Sequence, residues 1–166
     1  IGLIDCAGLR LQEATDALNA FGEVFMKQTL ASGVIPQITA IFGTCGGGAA
    51  LIPNLTDVTF MTKEGAKLFV NSPNALDENR AEKLDTAAAD YVAENTANVD
   101  AVYDTEAELL GAVRTMVGLL PSNNEDDGDC AVCEDDVNRI IPDLATKAGD
   151  VKAVIADITD DEFVFE

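Results

Sequence analysis

Ile35-Pro36-Gln37-Ile38-Thr39-Ala40-Ile41-Phe42 running into Gly43-Thr44-Cys45-Gly46-Gly47-Gly48-Ala49 is the stretch on which the fold turns. Ile38, Ala40 and Phe42 alternate with Gln37 and Thr39, the period of two that a strand imposes on its faces. The glycines from Gly43 onward end that pattern, and the small and apolar residues Ala49 to Ile52 suggest a short helix stopped near Pro53. Strand, tight turn and helix start therefore follow one another, and the first NH groups of a helix have no partner inside it. On glycine content alone, Gly46-Gly47-Gly48 fits a packing turn as well as a ligand-binding one. It does not fit the G-x-G-x-x-G dinucleotide pattern, and a P-loop would need a Gly-Lys-Ser/Thr ending that is missing.

Working outward, Ile1 to Asp5 has the look of a short buried strand, closed by a second small-residue turn, Cys6-Ala7-Gly8-Leu9. From Leu11, apolar residues recur at Ala14, Leu18, Phe21 and Phe25, steps of three and four that mark one face of a helix, and Ser32-Gly33 closes it. This strand–helix–strand order predicts an α/β fold. Two turns at strand ends could each offer a backbone NH to one oxygen, which is the make-up of an oxyanion hole. Downstream, Val58 to Met61 predicts a third strand, Lys67 to Val70 a candidate fourth, and Asp100 to Tyr103 an extended segment. Between them, Leu76 to Glu94 is polar and alanine-rich. Thr105-Glu106-Ala107-Glu108 has capping-box form ahead of Leu109, Val113, Met116 and Leu120, a helix ended by Pro121. An acidic loop over about 122–136 and an amphipathic helix from Asp150 to Asp160 complete the chain, with Phe163-Val164-Phe165 apolar to the end.

Composition removes whole function classes. The 166 residues carry ten Lys+Arg against thirty Asp+Glu, a net charge of -20 that repels nucleic acid. Histidine is absent, so a Ser/His or Cys/His nucleophile and the usual zinc ligand are excluded within this chain. No run of about 18 apolar residues suggests a membrane span. Four cysteines, Cys6, Cys45, Cys130 and Cys133, are too few for a disulfide scaffold and point to a reducing cytoplasm. The single Cys130-Ala131-Val132-Cys133 pair lacks a second pair or a histidine, so no metal is expected. The opening at Ile1, without an initiator methionine, suggests an excerpt from a longer polypeptide.

Leu3-Ile4-Asp5-Cys6-Ala7-Gly8-Leu9-Arg10-Leu11-Gln12-Glu13 resembles the DSAGARIQE segment of the carboxyltransferase subunits of biotin-dependent acyl-CoA carboxylases and decarboxylases. Ile35-Pro36-Gln37-Ile38, Gly43 to Ala49 and Pro53-Asn54-Leu55-Thr56-Asp57 resemble that family's VPQIS, GPCAGGA and PALTDF elements at matching spacing. Leu119 to Asn124 is similar to its LPSNN element, and Asp161-Glu162-Phe163 falls near its FFE element, whereas Ala87 to Asp100 departs from its usual LGGA. The resemblance implies a crotonase-like (ClpP/crotonase) ββα spiral. Residues 1–166 would be the later part of one carboxyltransferase N-terminal domain, truncated at its N-terminal side, with the C-terminal domain absent.

The same resemblance assigns roles by position. The oxyanion donors are the backbone NH groups of Leu9 and Gly48, with Gly8, Gly46, Gly47 and Ala49 forming the substrate-binding turns. Leu51 stands where a crotonase-type hydratase has its glutamate, which favours carboxyl transfer over hydration. The implied reaction moves a carboxyl group between carboxybiotin, on a biotin carboxyl carrier, and the α-carbon of a small acyl-CoA through an enolate. The biotin ureido anion serves as base. In decarboxylase alpha subunits tied to a sodium pump, the direction reverses. The remaining carboxyltransferase domain or subunit and a homo-oligomer are implied partners, and a non-catalytic assembly module is the alternative outside enzymes. Arg10, Lys27, Lys63 and Lys67 could meet coenzyme A phosphates, although each also fits a surface role. Cys6 and Cys45 flank the two turns without an activating base.

Overall fold

The alternation along the deciding stretch is what the chain builds on. A computed structural model describes residues 1–126, 136 and 138–159. Within the unit Ile1–Gly128 the strands are β1 (Gly2–Cys6), β2 (Ile38–Gly46), β3 (Val58–Thr62), β4 (Lys67–Phe69) and β5 (Ala101–Tyr103). The helices of that unit are α1 (Ala14–Ala31), α2 (Asp77–Glu82), α3 (Ala89–Asn95) and α4 (Glu106–Leu119). All the strand pairings are parallel, in the order β1-β2-β3-β5, with β4 joining β2 separately.

The period of two sends Ile38, Ala40 and Phe60 to one face, where Leu109, Val113 and Met116 of α4 cover them. It sends Ile4, Ile41, Cys45 and Met61 to the other, against Ala49, Ala50, Leu68, Ala89 and Val92, with Phe21 of α1 packed at its margin. Burial on both faces is what a parallel sheet requires. Thr105 opens α4 with the capping box that the sequence predicts: its hydroxyl accepts from the Glu108 NH at 3.2 Å, and the Glu108 carboxylate accepts from the Thr105 NH at 3.0 Å. Asp57 and Asp100 tie strand entrances together by accepting from the NH groups of Gln37 at 2.8 Å and Thr59 at 2.7 Å.

The expected turn at Gly43 proves to be strand. Registers run Ile4 with Ile41 and then Cys6 with Cys45, so β2 inserts two extra residues against β1, a bulge. The Asp5 carboxylate fills the widened space and accepts from the Thr44 NH at 3.0 Å. Gly43 has no side chain there because a Cβ would lie 2.2 Å from Asp5 Oδ1. Past the bulge β2 takes a new partner, pairing Thr44, Cys45 and Gly46 with Lys67, Leu68 and Phe69. One strand thus serves two pairings in succession.

Other expectations shift in detail. Leu11–Glu13 forms a 3-10 turn before α1 rather than its first turn. After β2 come two 3-10 turns, Gly47–Leu51 and Pro53–Leu55, in which Pro53 begins the second instead of merely ending a helix. The polar stretch before β5 holds α2 and α3, with Asn79, Ala89 and Val92 buried. The separate unit Asp129–Glu166 contains α5 (Val151–Ile158), capped by the Asp150 carboxylate on the Ala153 NH at 3.1 Å. Cys130, Cys133 and Phe163 to Phe165 lie outside the described residues. Among the described residues no helix is long and apolar enough to cross a membrane.

Gly43→Ala should cost about 1–3 kcal/mol in urea denaturation, because it displaces the carboxylate from the Thr44 NH. The cost should shrink in an Asp5→Ala background; equal costs in both backgrounds would mean Gly43 does not accommodate Asp5.

Candidate active site

Because Cys6 pairs with Cys45, the chain leaves β1 and β2 at neighbouring points, and the two small-residue turns meet. A Cβ on Gly8 would stand 3.2 Å from the Gly46 carbonyl oxygen; one on Gly46 would stand 2.9 Å from the Phe69 ring and 3.1 Å from the Ala7 oxygen. Gly47, whose hypothetical Cβ lies 4.0 Å from the Gly8 Cα, faces the first turn. Gly8 at φ +121° and Gly47 at φ +60° hold backbone conformations that favour glycine. The structure therefore brings Gly8, Gly46 and Gly47 into one contact, with Leu9 and Gly48 on its two flanks.

Both flanking NH groups are available. Leu9 lies outside any helix or strand, and its NH makes no hydrogen bond among the described residues. Gly48 is the second residue of the Gly47–Leu51 3-10 turn, ahead of the first position whose NH can bond back within the turn. Its hypothetical Cβ would meet Phe21 at 3.7 Å, an ordinary contact, so glycine at 48 is not there for want of room. Ala49 is 1% exposed, and its carbonyl accepts from the Ile52 NH at 3.0 Å and the Cys45 thiol at 3.3 Å. Leu51, half-exposed at the end of the turn, offers no acid.

The thiols beside the turns are hydrogen-bond donors. Burial, reinforced by Cys6, pushes the Cys45 thiol up to about 12, so it stays protonated at neutral pH. Cys6 donates to the Gly8 carbonyl at 3.6 Å. Most of the candidate phosphate-binding bases are engaged elsewhere. Arg10 pairs with Glu13 at 3.2 Å on an open surface, where such a pair adds little stability, and Lys63 pairs with Asp90 at 3.7 Å. Lys67 bonds Asp85 and thereby holds that carboxyl below the usual carboxylate range. Lys27 is exposed on α1. Among the described residues no three His, Cys, Asp or Glu converge as a metal site would need.

The sequence profile of the carboxyl transferase domain matches residues 1–166. The chain belongs to this carboxyl transferase family. It is 37% identical to the methylmalonyl-CoA decarboxylase alpha subunit of Veillonella parvula, over 100% of this chain and 35% of that protein. To the propionyl-CoA carboxylase beta chain of Roseobacter denitrificans it is 38% identical, over 90% of this chain and 30% of that protein. Among solved structures it superposes on transcarboxylase 12S, a hexamer assembly with hydrolysed methylmalonyl-coenzyme A bound. The TM-score is 0.82 at 28% identity, covering 95% of this chain and 32% of the other. The carboxyl transferase chain thus has the expected crotonase-like α/β fold and spans about a third of these relatives' length.

Three neighbours of the turns escaped sequence reasoning. Phe21 shows in the α1 periodicity, but its partner at Gly48 does not. Phe69 lies in a strand too short to reveal which face it takes. Asp5 looks like a polar strand end, and only the bulge gives it Thr44.

The Cys45 shift sets a pH dependence. The native thiol holds its proton up to about 12, against the ordinary 9.0 of a free thiol. Between these values the native state binds more protons than the unfolded chain, so stability contributed by Cys45 falls as pH rises through 9. The stability of wild type relative to Cys45→Ala should therefore decline between about pH 9 and 11 in urea denaturation, and a flat difference would contradict it.

Proposed function

We propose that the chain forms the acyl-CoA side of a biotin-dependent acyl-CoA carboxyltransferase, which moves a carboxyl group onto the α-carbon of a small acyl-CoA through an enolate. The observation that carries this reading is the meeting of two glycine turns with the Leu9 and Gly48 NH groups, which make no hydrogen bond among the described residues, on either flank. A thioester oxygen held between those donors gains negative charge as the α-proton leaves, so the hydrogen bonds strengthen on the way to the enolate. Binding that grows toward the transition state lowers the barrier, by about 2.7–4 kcal/mol for each such donor.

Among the described residues, the side chains beside the turns offer no free base. Histidine is absent, the Cys45 thiol is protonated, and Asp5 is committed to the Thr44 NH. This fits a reaction in which biotin, brought by a carrier partner, supplies the carboxyl group and the base when bound. The reading also calls for the remaining carboxyltransferase domain or subunit, for a homo-oligomer and for a cytoplasmic setting. The likeness to a methylmalonyl-CoA decarboxylase alpha subunit fits the reverse direction as an alternative without favouring it over carboxylation. Leu51 in place of an acid speaks against a hydratase.

Replacing Leu9 in the intact protein by its α-hydroxy acid removes the NH and keeps the side chain. The expected result, in a carboxylation assay with the biotin carrier and a panel of small acyl-CoAs, is a loss of about 10²–10³ in kcat with acyl-CoA affinity much less affected. Full activity of that ester would defeat the donor assignment. Failure of the unmodified intact protein to bind any acyl-CoA would leave the assembly-module alternative.

A further inference from the structure

The Gly8 carbonyl and the Leu9 NH belong to one peptide unit. Its atoms are coplanar and trans, so the oxygen and the hydrogen point in opposite directions. Whatever fixes the oxygen fixes the hydrogen. Among the described residues no backbone hydrogen bond holds this unit, and Gly8, at φ +121°, has no side chain to restrict its rotation. The group that holds the oxygen is the half-buried Cys6 thiol, two residues back, at 3.6 Å. Cys6 is itself anchored as the last residue of β1, paired with Cys45 of β2.

We infer that Cys6 is a positioning residue for the oxyanion donor at Leu9: its thiol holds the Gly8–Leu9 peptide plane so that the NH points away from the thiol and toward the ligand side. The inference rests on the acyl-CoA reading proposed above. Accepting a bond at the carbonyl also polarises the peptide, which makes its NH a better donor. Cys45 has no equivalent role. The Ala49 carbonyl to which it donates belongs to the Ala49–Ala50 peptide, not to the Gly47–Gly48 peptide that carries the second donor. The two thiols thus differ in what they control, although they sit side by side in the sheet.

A thiol is a weak donor, so the effect is modest. In the intact protein, Cys6→Ala should lower kcat by about 3- to 10-fold, the span of one ordinary hydrogen bond. The KM for acyl-CoA should stay within about twofold, since the ground-state thioester draws less on the donor than the enolate does. Cys6→Ser keeps a donor at that position and should restore kcat. Hydrogen–deuterium exchange of the segment from Cys6 to Leu11 reads the same geometry without any reaction: faster in Cys6→Ala, back to the wild-type rate in Cys6→Ser. Wild-type kcat and exchange in Cys6→Ala would overturn the inference. So would a serine variant as impaired as the alanine one, which would make the cysteine a packing residue. If the unmodified protein shows no carboxyltransferase activity, the functional reading fails, while the exchange arm still reports whether the thiol holds the Gly8–Leu9 peptide.

Discussion

Parallel pairing of β1 with β2 across the bulge is the constraint from which the rest follows. In the first half of β2 the pairing builds a sheet buried on both faces, by α4 on one side and by Leu68, Ala89 and Val92 on the other. Past the bulge it sets Cys6 beside Cys45 and so delivers two turns, far apart in the chain, to one place. The widening at the bulge leaves room for a carboxylate but not for a side chain on Gly43, and Asp5 uses that room to hold the Thr44 NH. A β2 that ended at Phe42 would lack the second pairing with β4, and Phe69 would have no place against Gly46.

Much of this was legible in the sequence, where a local signal was also the deciding one. Ile38, Ala40 and Phe42 announced a strand, and Leu109, Val113 and Met116 a helix face. Thr105 with Glu108 marked where that helix starts. The signals failed where the cause is distant. Nothing local in Gly43-Thr44-Cys45-Gly46 favours a strand; the partners β1 and β4 impose it. Helices α2 and α3 are six and seven residues long, too short for periodicity to show, and they owe their form to the burial of Asn79, Ala89 and Val92. The turns themselves were found by their glycines, but Phe21 and Phe69, which wall them, could be identified only once their elements were packed.

The chemistry proposed for the turns suits a chain without histidine. Backbone NH groups need no particular residue, only a backbone held still, and here strand pairing, two glycines in left-handed conformations and the Cys6 thiol on the Gly8 carbonyl restrict it. Such donors act through orientation fixed before the substrate arrives, so they pay no reorganisation as charge develops. The shared carboxyl transferase fold at 28% identity fits a design in which geometry counts for more than side-chain identity.

The four glycines of the deciding stretch differ in how far each could drift under mutation. Gly47 is bound by its dihedral angle, Gly43 and Gly46 by the atoms standing where a Cβ would go, and Gly48 by neither. An alanine at 48 is sterically admissible to the fold, whereas the same change at 46 collides with the Phe69 ring and the Ala7 carbonyl oxygen. Read along a set of diverged sequences, an unbroken glycine triplet would then report close packing at its first position and backbone shape at its second. At its third it would report something the fold alone does not demand.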